Sequence, residues 1–361
     1  MAPSQMTVRL RPPQCGFRLF TIDGGGVHGV SPLVMWKHLL AELPFGLKLS
    51  DYADLVVATS SGSIVSAALV IQEMEPGKCI EMFTEMARQV FQNNATGMLL
   101  LPVTIYRRLR WLLDGAKYNN NCLSNALQHL FEPNQLLKDV RKQSVNNVRV
   151  AFTTTDFMSN VHLYRNYPSN RTRGEALYKD DGSITVVGAL VDACAAPTLF
   201  QPSKDRQDGA VAANNPSGVA LAELKRLSLT HQRMLDFSVS FGTGQFVQED
   251  GQPFPSCSPW LCPRWMSRLW QSVRESLSAS RNYHRLQEEL GQDENPKHHR
   301  LDPVFVRHPI PVDAGEKVEE IKDLAEEFAE QKEVNQIFQN VRLPLVAAGF
   351  YANRYRFSLE R

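Results

Sequence analysis

Three short segments hold the residue types that nucleophilic chemistry needs. The first is Ala58-Thr59-Ser60-Ser61-Gly62, set between the apolar residues 55–58 and the apolar residues 64–71. A strand that turns sharply into a helix lifts one hydroxyl clear of a sheet, and small neighbours keep such a turn free of clashes. Ser60 is the middle residue and therefore the candidate nucleophile. Gly62 follows two positions later, and Ala58 stands where such a turn usually has its first glycine. One methyl is tolerated there while the residue keeps a negative φ. The plainer reading of this segment is a serine-rich helix cap.

The second segment is Asp23-Gly24-Gly25-Gly26-Val27-His28-Gly29. Its glycines permit two chemistries. Residues 24–29 satisfy the G-x-G-x-x-G spacing by which a backbone approaches a pyrophosphate at a helix start. That use needs an acidic residue closing a second strand about 20 residues on. Glu42 falls within a helical pattern instead, and Asp51 comes late. The other use is an oxyanion hole, in which backbone N–H groups converge on a developing negative charge. The third segment is Asp208-Gly209-Ala210, leading into Val211-Ala212-Ala213-Asn214-Asn215-Pro216. Alone it reads as a surface Asp-Gly turn. Taken together, the three supply oxyanion donors, an exposed hydroxyl and a carboxylate base, the parts of one acyl-transfer site.

These groups need a rigid frame. Residues 17–22, 55–58, 148–155, 161–167 and 236–241 read as strands, and amphipathic patterns between them read as helices. Strands alternating with helices predict an α/β fold with a mostly parallel sheet covered on both faces. Beyond Gly244 helical patterns dominate, over residues 266–290 and 318–341, and no internal repeat is evident. The predicted organisation is an N-terminal tail (1–16), a catalytic unit (17–218), and residues 219–361. The last part holds the final core strand (about 236–244), a Pro/Cys loop and a helical C-terminal extension packed on the core.

Composition excludes other classes. Of 361 residues, 43% are hydrophobic and 21% charged, with 39 basic against 38 acidic side chains. That balance is incompatible with disorder, and it lacks the basic footprint of a nucleic-acid binder. Six cysteines in this length are no disulfide scaffold. Cys15, Cys79, Cys122 and Cys194 read as small buried hydrophobes. Cys257 and Cys262 read as free thiols, with a disulfide between them or a metal site alongside His298 and His299 the minor alternatives. The start of the chain has no apolar stretch of signal-peptide length, which predicts a cytoplasmic protein. Residues 53–71 are long enough to span a membrane, but the run of Thr59, Ser60, Ser61, Gly62, Ser63 and Ser66 breaks them into strand and helix.

The combination DGGGVHG, ATSSG and DGAVAANNP resembles the patatin-like phospholipase family. Ala195-Ala196-Pro197-Thr198, Tyr164-Arg165-Asn166-Tyr167 and Ser240-Phe241-Gly242-Thr243-Gly244 are similar to further family segments, in the same order. The resemblance covers roughly residues 17–244. It implies a three-layer patatin-like fold and a Ser–Asp dyad, with Ser60 as nucleophile and Asp208 as general base. It also implies oxyanion donors at Gly24, Gly25 and Gly26, with Asp23, Gly29, Ala58, Gly62, Gly209 and Ala210 as motif support. The implied activity is a carboxylic ester hydrolase of phospholipase A2 or lipid acyl hydrolase type, acting on phospholipids, lysophospholipids or neutral lipids without metal or nucleotide cofactor. Its partner is the lipid substrate, met by transient peripheral contact with a membrane or lipid droplet.

Three positions depart from the family pattern: Ala58, His28 in place of a common arginine, and Ser63 in place of a common glycine. They motivate an alternative, a weak or inactive relative that binds lipid or a partner. Chain order alone leaves a triad open, because His231, His284, His298, His299 and His308 all follow Asp208. Residues 260–277 interleave Trp260, Trp265 and Trp270 with Arg264, Arg268 and Arg274. They read as a core-packed helix, with an interfacial helix as the alternative.

Overall fold

The computed structural model describes residues 16–43, 46–91, 116–143, 147–168, 183–203, 205–231, 234–250, 279–294 and 297–359. Nine strands are described: β1 (Phe17–Ile22), β2 (Leu55–Thr59), β3 (Arg149–Thr155), β4 (Val161–Arg165), β5 (Gln207–Asp208), β6 (Leu235–Phe241), β7 (Gln245–Val247), β8 (His298–Leu301) and β9 (Val304–Val306). The helices used below are α1 (Val30–Ala41), α2 (Leu49–Tyr52), α3 (Ser61–Ser66), α4 (Pro76–Phe91), α5 (Asn120–Gln128), α6 (Leu137–Gln143), α7 (Val186–Ala193), α8 (Ala210–Ala213), α9 (Ser217–His231), α10 (Ala279–Glu294), α11 (Val318–Ala329) and α12 (Lys332–Leu359).

The main sheet runs β4-β3-β2-β1-β6-β8, and β5 pairs with β3. Pairing is parallel from β3 through β8 and antiparallel where β4 and β5 join β3. The short return through Phe157 and Met158 permits the antiparallel hairpin, since a parallel partner needs a long crossover. Apolar side chains on both faces mark the central strands as doubly covered. Phe20, Ile22, Val56, Ala58, Val150 and Phe152 face the larger core, where α1, α4, α5 and α7 pack. Phe17, Leu19, Leu55, Val57 and Ala151 face a smaller core closed by Ala220, Leu224 and Leu227 of α9. This period-2 division gives three layers. A buried ion pair, Arg18 to Asp54 at 3.2 Å, ties β1 to the entry of β2.

The C-terminal third contributes more than helices. β8 extends the main sheet beside β6, and β7 pairs with β9 in a separate ladder. These strands are four and three residues long. His298-His299-Arg300-Leu301 offers no apolar alternation from which a strand is legible. The helix expected over 318–341 is two helices, α11 and α12, the second running on to Leu359. The break falls where Glu330-Gln331-Lys332-Glu333 supplies no apolar residue to continue the buried stripe. Cys122, expected to be buried, is exposed on α5, whereas Cys79 and Cys194 are buried. The α5 face that packs inward is Leu123, Ala126 and Leu127, and Cys122 is not on it. Cys15, Cys257, Cys262 and the Trp260–Trp270 region lie outside the described residues.

Candidate active site

The parallel strands β1 and β2 end side by side, with Ile22 opposite Ala58. Both functional turns therefore leave the sheet at its carboxyl edge, where open α/β sheets place their ligands. Ser60 is the turn residue, with φ 51 and ψ −129. That region is sparsely populated for a side-chain-bearing residue and costs about 1–3 kcal/mol, which the surrounding contacts must hold. They do so by close approach: a Cβ on Gly62 would lie 2.5 Å from the Asp23 carbonyl and 2.7 Å from that of Ile22. Only glycine lets α3 start so near the end of β1.

Asp208 reaches Ser60 from a distant part of the chain. β5 pairs with β3 just past the end of β2, with Thr154 opposite Asp208 and Thr153 opposite Thr59. The Asp208 N–H donates to the Ala195 carbonyl at 3.1 Å, and Thr155 Oγ1 donates to the Asp208 carbonyl at 2.9 Å. The Ala195-Ala196-Pro197-Thr198 segment thus has a structural task. Ser60 Oγ donates to Asp208 Oδ2 at 2.6 Å, and the Ala210 N–H donates to Oδ1 at 2.7 Å. Asp208 is buried, and burial pushes its carboxyl up to about 6 against the opposing pull of those two hydrogen bonds.

The glycine-rich loop lies beside this pair. Ser60, Asp208, Gly24, Gly25 and Gly26 all line one cavity of about 1360 Å³. Its other walls are largely apolar, including Ile64, Phe83, Met86, Val90, Leu123 and Phe200. The three glycines are not equivalent. The Gly24 N–H donates to the Asn214 carbonyl at 3.1 Å, so the expectation of a free donor there is corrected. The Gly25 N–H meets Ser61 Oγ at 3.2 Å, a hydroxyl that can rotate away. Gly26 has φ +58, and a Cβ there would lie 2.1 Å from the Val312 carbonyl. That backbone turn aims the following N–H, from Val27, at Val312 O at 2.9 Å.

The remaining sequence-flagged residues are supports. Asp23 is fully buried with both carboxylate oxygens engaged: Asn215 Nδ2 donates to its Oδ1 at 2.8 Å and Arg300 Nη2 to its Oδ2 at 2.7 Å. Arg300 also donates to Ser240 Oγ and Asp302 Oδ2, each at 2.8 Å. Burial alone would lower the Arg300 pKa, but the two carboxylates outweigh it and hold the guanidinium charged. Gly29 packs against Phe83, and Gly209 against Thr153. Arg300, Asp302, Asn214, Thr243 and Val312 were not legible as site residues. Asn214 and Thr243 lay inside motif segments without a role attached, and the other three lay in none.

The departures at Ala58 and Ser63 accommodate one another. Ser63 Oγ donates to the Ala58 carbonyl at 3.1 Å, and Ala58 sits in regular strand pairing. His28 is buried against Phe246, and burial lowers its pKa to about 4 despite a backbone hydrogen bond to Ile310. It is therefore neutral and supplies no cation. None of the five later histidines is among the described residues lining the cavity. His298 bonds Ser238 Oγ at 2.6 Å inside the sheet, His284 and His308 are exposed, and His299 is half-buried. Glu42 pairs with Arg342 at the surface, and the Asp51 carboxylate caps α2, so neither stands at the carboxyl end of β2 where a ribose would need it.

The family described as Patatin-like phospholipase matches over residues 20–221. Patatin-like protein 1 of Arabidopsis thaliana is 26% identical over 292 residues, covering 71% of this chain and 66% of the relative. The cGAMP-activated phospholipase of Vibrio cholerae is 25% identical over 224 residues, 58% of each chain. Calcium-independent phospholipase A2-gamma of Mus musculus is 27% identical over 247 residues, 65% of this chain and 29% of that protein. The chain thus spans less than two thirds of the length of these relatives. Among solved structures, VipD from Legionella pneumophila aligns with a TM-score of 0.40 at 12% identity, over 90% of this chain and 67% of that one.

Proposed function

The chain belongs to the patatin-like phospholipase family, and from that premise we propose that it is a serine hydrolase of lipid acyl esters, of phospholipase A type, acting through Ser60 and Asp208. The observation that carries the reading is the 2.6 Å bond from Ser60 Oγ to Asp208 Oδ2 in a large, mostly apolar cavity. An apolar wall accepts an acyl chain, and the strained turn holds the hydroxyl where the chain's carbonyl enters.

Ser60 Oγ attacks the ester carbonyl carbon while its proton passes to Asp208 Oδ2. The resulting oxyanion takes N–H donors from Gly25, once Ser61 Oγ rotates away, and from Gly26. Collapse breaks the ester C–O bond, and Asp208 returns the proton to the departing alcohol. Water then attacks the acyl-Ser60 carbonyl, gives its proton to Asp208, and releases the fatty acid as the proton returns to Ser60. A carboxylate raised to about 6 is a stronger base than an ordinary one yet stays ionised at neutral pH.

Neither reaction step requires a metal or nucleotide. Among the described residues no helix is long and apolar enough to cross a membrane. We propose separately a cytoplasmic protein that meets its substrate by peripheral contact with a lipid surface. The test is fluorophosphonate labelling of wild type, Ser60→Ala and Asp208→Asn, with release of fatty acid followed in parallel. Labelling that survives Ser60→Ala, or a folded wild type that neither labels nor releases fatty acid, overturns the proposal.

A further inference from the structure

The cavity holds one ion pair that the reaction does not use. Lys117 Nζ meets Asp313 Oδ2 at 3.2 Å, and both residues line the same cavity as Ser60. They come from distant parts of the chain. Lys117 is held by its own backbone, with its N–H donating to the Thr198 carbonyl at 2.9 Å and the next N–H, from Tyr118, donating to Leu199 at 2.8 Å. Asp313 adjoins Val312, whose carbonyl anchors the glycine-rich loop through Val27. Tyr118 OH donates to the same Asp313 oxygen at 3.1 Å. The Lys117 side chain is 41% exposed and that of Asp313 17% exposed, so the pair sits where the cavity opens to solvent.

We propose that Lys117 and Asp313 form a head-group subsite for zwitterionic phospholipids, the lipid phosphate taking Lys117 and its ammonium taking Asp313. This inference rests on the acyl-hydrolase reading of Ser60 given above. Charge decides between head groups. Among the described lining residues, Lys117 is the sole cation, and Asp208 and Asp313 are the carboxylates. A neutral glycerol head offers neither partner a charge in exchange for opening the pair. A purely anionic head satisfies Lys117 but leaves Asp313 beside a second negative charge. A zwitterion replaces both halves of the pair, so no charge is left without a partner. The cavity has room for such a head beside an acyl chain, at about 1360 Å³ against the roughly 300–1,000 Å³ usual for small-molecule sites.

The test compares the full chain with Lys117→Gln, Lys117→Arg and Asp313→Asn in mixed detergent micelles. The lipids are phosphatidylcholine, phosphatidylglycerol and monoacylglycerol of one acyl length. Lys117→Gln is expected to lower the kcat/KM ratio of phosphatidylcholine to monoacylglycerol about fivefold, as fits one half-exposed charged contact. Lys117→Arg is expected to keep the ratio, which separates loss of the contact from loss of the fold. Asp313→Asn is expected to shift preference toward phosphatidylglycerol by a similar factor. Binding of monomeric dihexanoylphosphatidylcholine to Ser60→Ala protein, with and without Lys117→Gln, reads the subsite without turnover. Ratios and binding that stay within twofold of the parent in Lys117→Gln and Asp313→Asn overturn the subsite. Lys117-dependent binding with no Ser60-dependent turnover leaves the subsite standing and overturns the hydrolase reading.

Discussion

Asp208→Asn should abolish turnover and stabilise the protein. Asp208 is buried without a cation, and its carboxyl rises from 3.8 to about 6. At ~1.4 kcal/mol per pH unit, ionising it inside the folded chain costs about 3 kcal/mol more than in the unfolded one. Asparagine removes that charge but keeps one oxygen for the two donors, Ser60 Oγ and the Ala210 N–H. One lost hydrogen bond offsets about 1 kcal/mol, leaving a net gain of roughly 1–2 kcal/mol at pH 7.5. The gain has a signature in pH. Between pH 3.8 and about 6 the folded wild type holds a proton on Asp208 that the unfolded chain has lost. Wild-type stability therefore falls as pH rises through that window, and the variant lacks the fall. Asp23, pushed up to about 7 by burial against the pull of Arg300, is common to both proteins and cancels in their difference. Chemical unfolding of both at pH 4 and pH 7.5 measures the effect, with ester release falling roughly 100- to 10,000-fold in parallel. A variant less stable than wild type at pH 7.5, or a difference that does not change with pH, refutes burial as the source of the base's strength.

The same group sets the rate profile: kcat/KM for Ser60-dependent hydrolysis should drop tenfold per pH unit below about 6 and level off above it. A profile flat to pH 4.5 contradicts Asp208 as the base. Gly62→Ala pushes a methyl onto the Asp23 and Ile22 carbonyls, and should cost roughly 1–3 kcal/mol in thermal unfolding along with fluorophosphonate labelling; full labelling shows that the elbow tolerates displacement. Arg300→Met removes the cation that opposes burial at Asp23, so the carboxyl takes up a proton and the loss stays below the roughly 3–5 kcal/mol of a charge left buried and unpaired. Asp23→Asn in the same chain should recover at least about 1 kcal/mol of it, and strict additivity in the double-mutant cycle rules out the pairing.

What could be read from the sequence was local, and what could not was assembled at long range. Phe17–Ile22 and the residues after it are one continuous strand-turn-helix, so glycines, apolar run and helix pattern appear together. Ser60 was found for the same reason. Asp208 needed its motif context, because the contact that matters spans 148 residues and rests on a two-residue strand with no pattern of its own. Gly24 shows the opposite failure. Three consecutive glycines look interchangeable in sequence and all line the cavity, yet the Gly24 N–H is held by the Asn214 backbone carbonyl, while the Gly25 N–H meets only the Ser61 hydroxyl. Arg300 had no chance of detection, since its strand is too short and too polar to show alternation, and Asp302 directly follows that strand in no motif of its own.

Those late residues explain why the last third of the chain belongs to the site. An oxyanion hole works only if its donors are already aimed and lose nothing by reorganising during reaction. A run of glycines is the backbone least able to hold such an aim unaided. Here the loop is fixed from several sides: Asn214 O takes the Gly24 N–H, and Thr243 Oγ1 donates to the Gly24 carbonyl at 3.0 Å. Val312 O takes the Val27 N–H, and Arg300 grips Asp23 while bridging to Ser240 and Asp302. Every one of these anchors lies beyond Asp208 in the chain. Thr243, Arg300 and Val312 also lie beyond the residues that match the family. The segments that look least like catalytic machinery therefore supply the rigidity that the glycines lack.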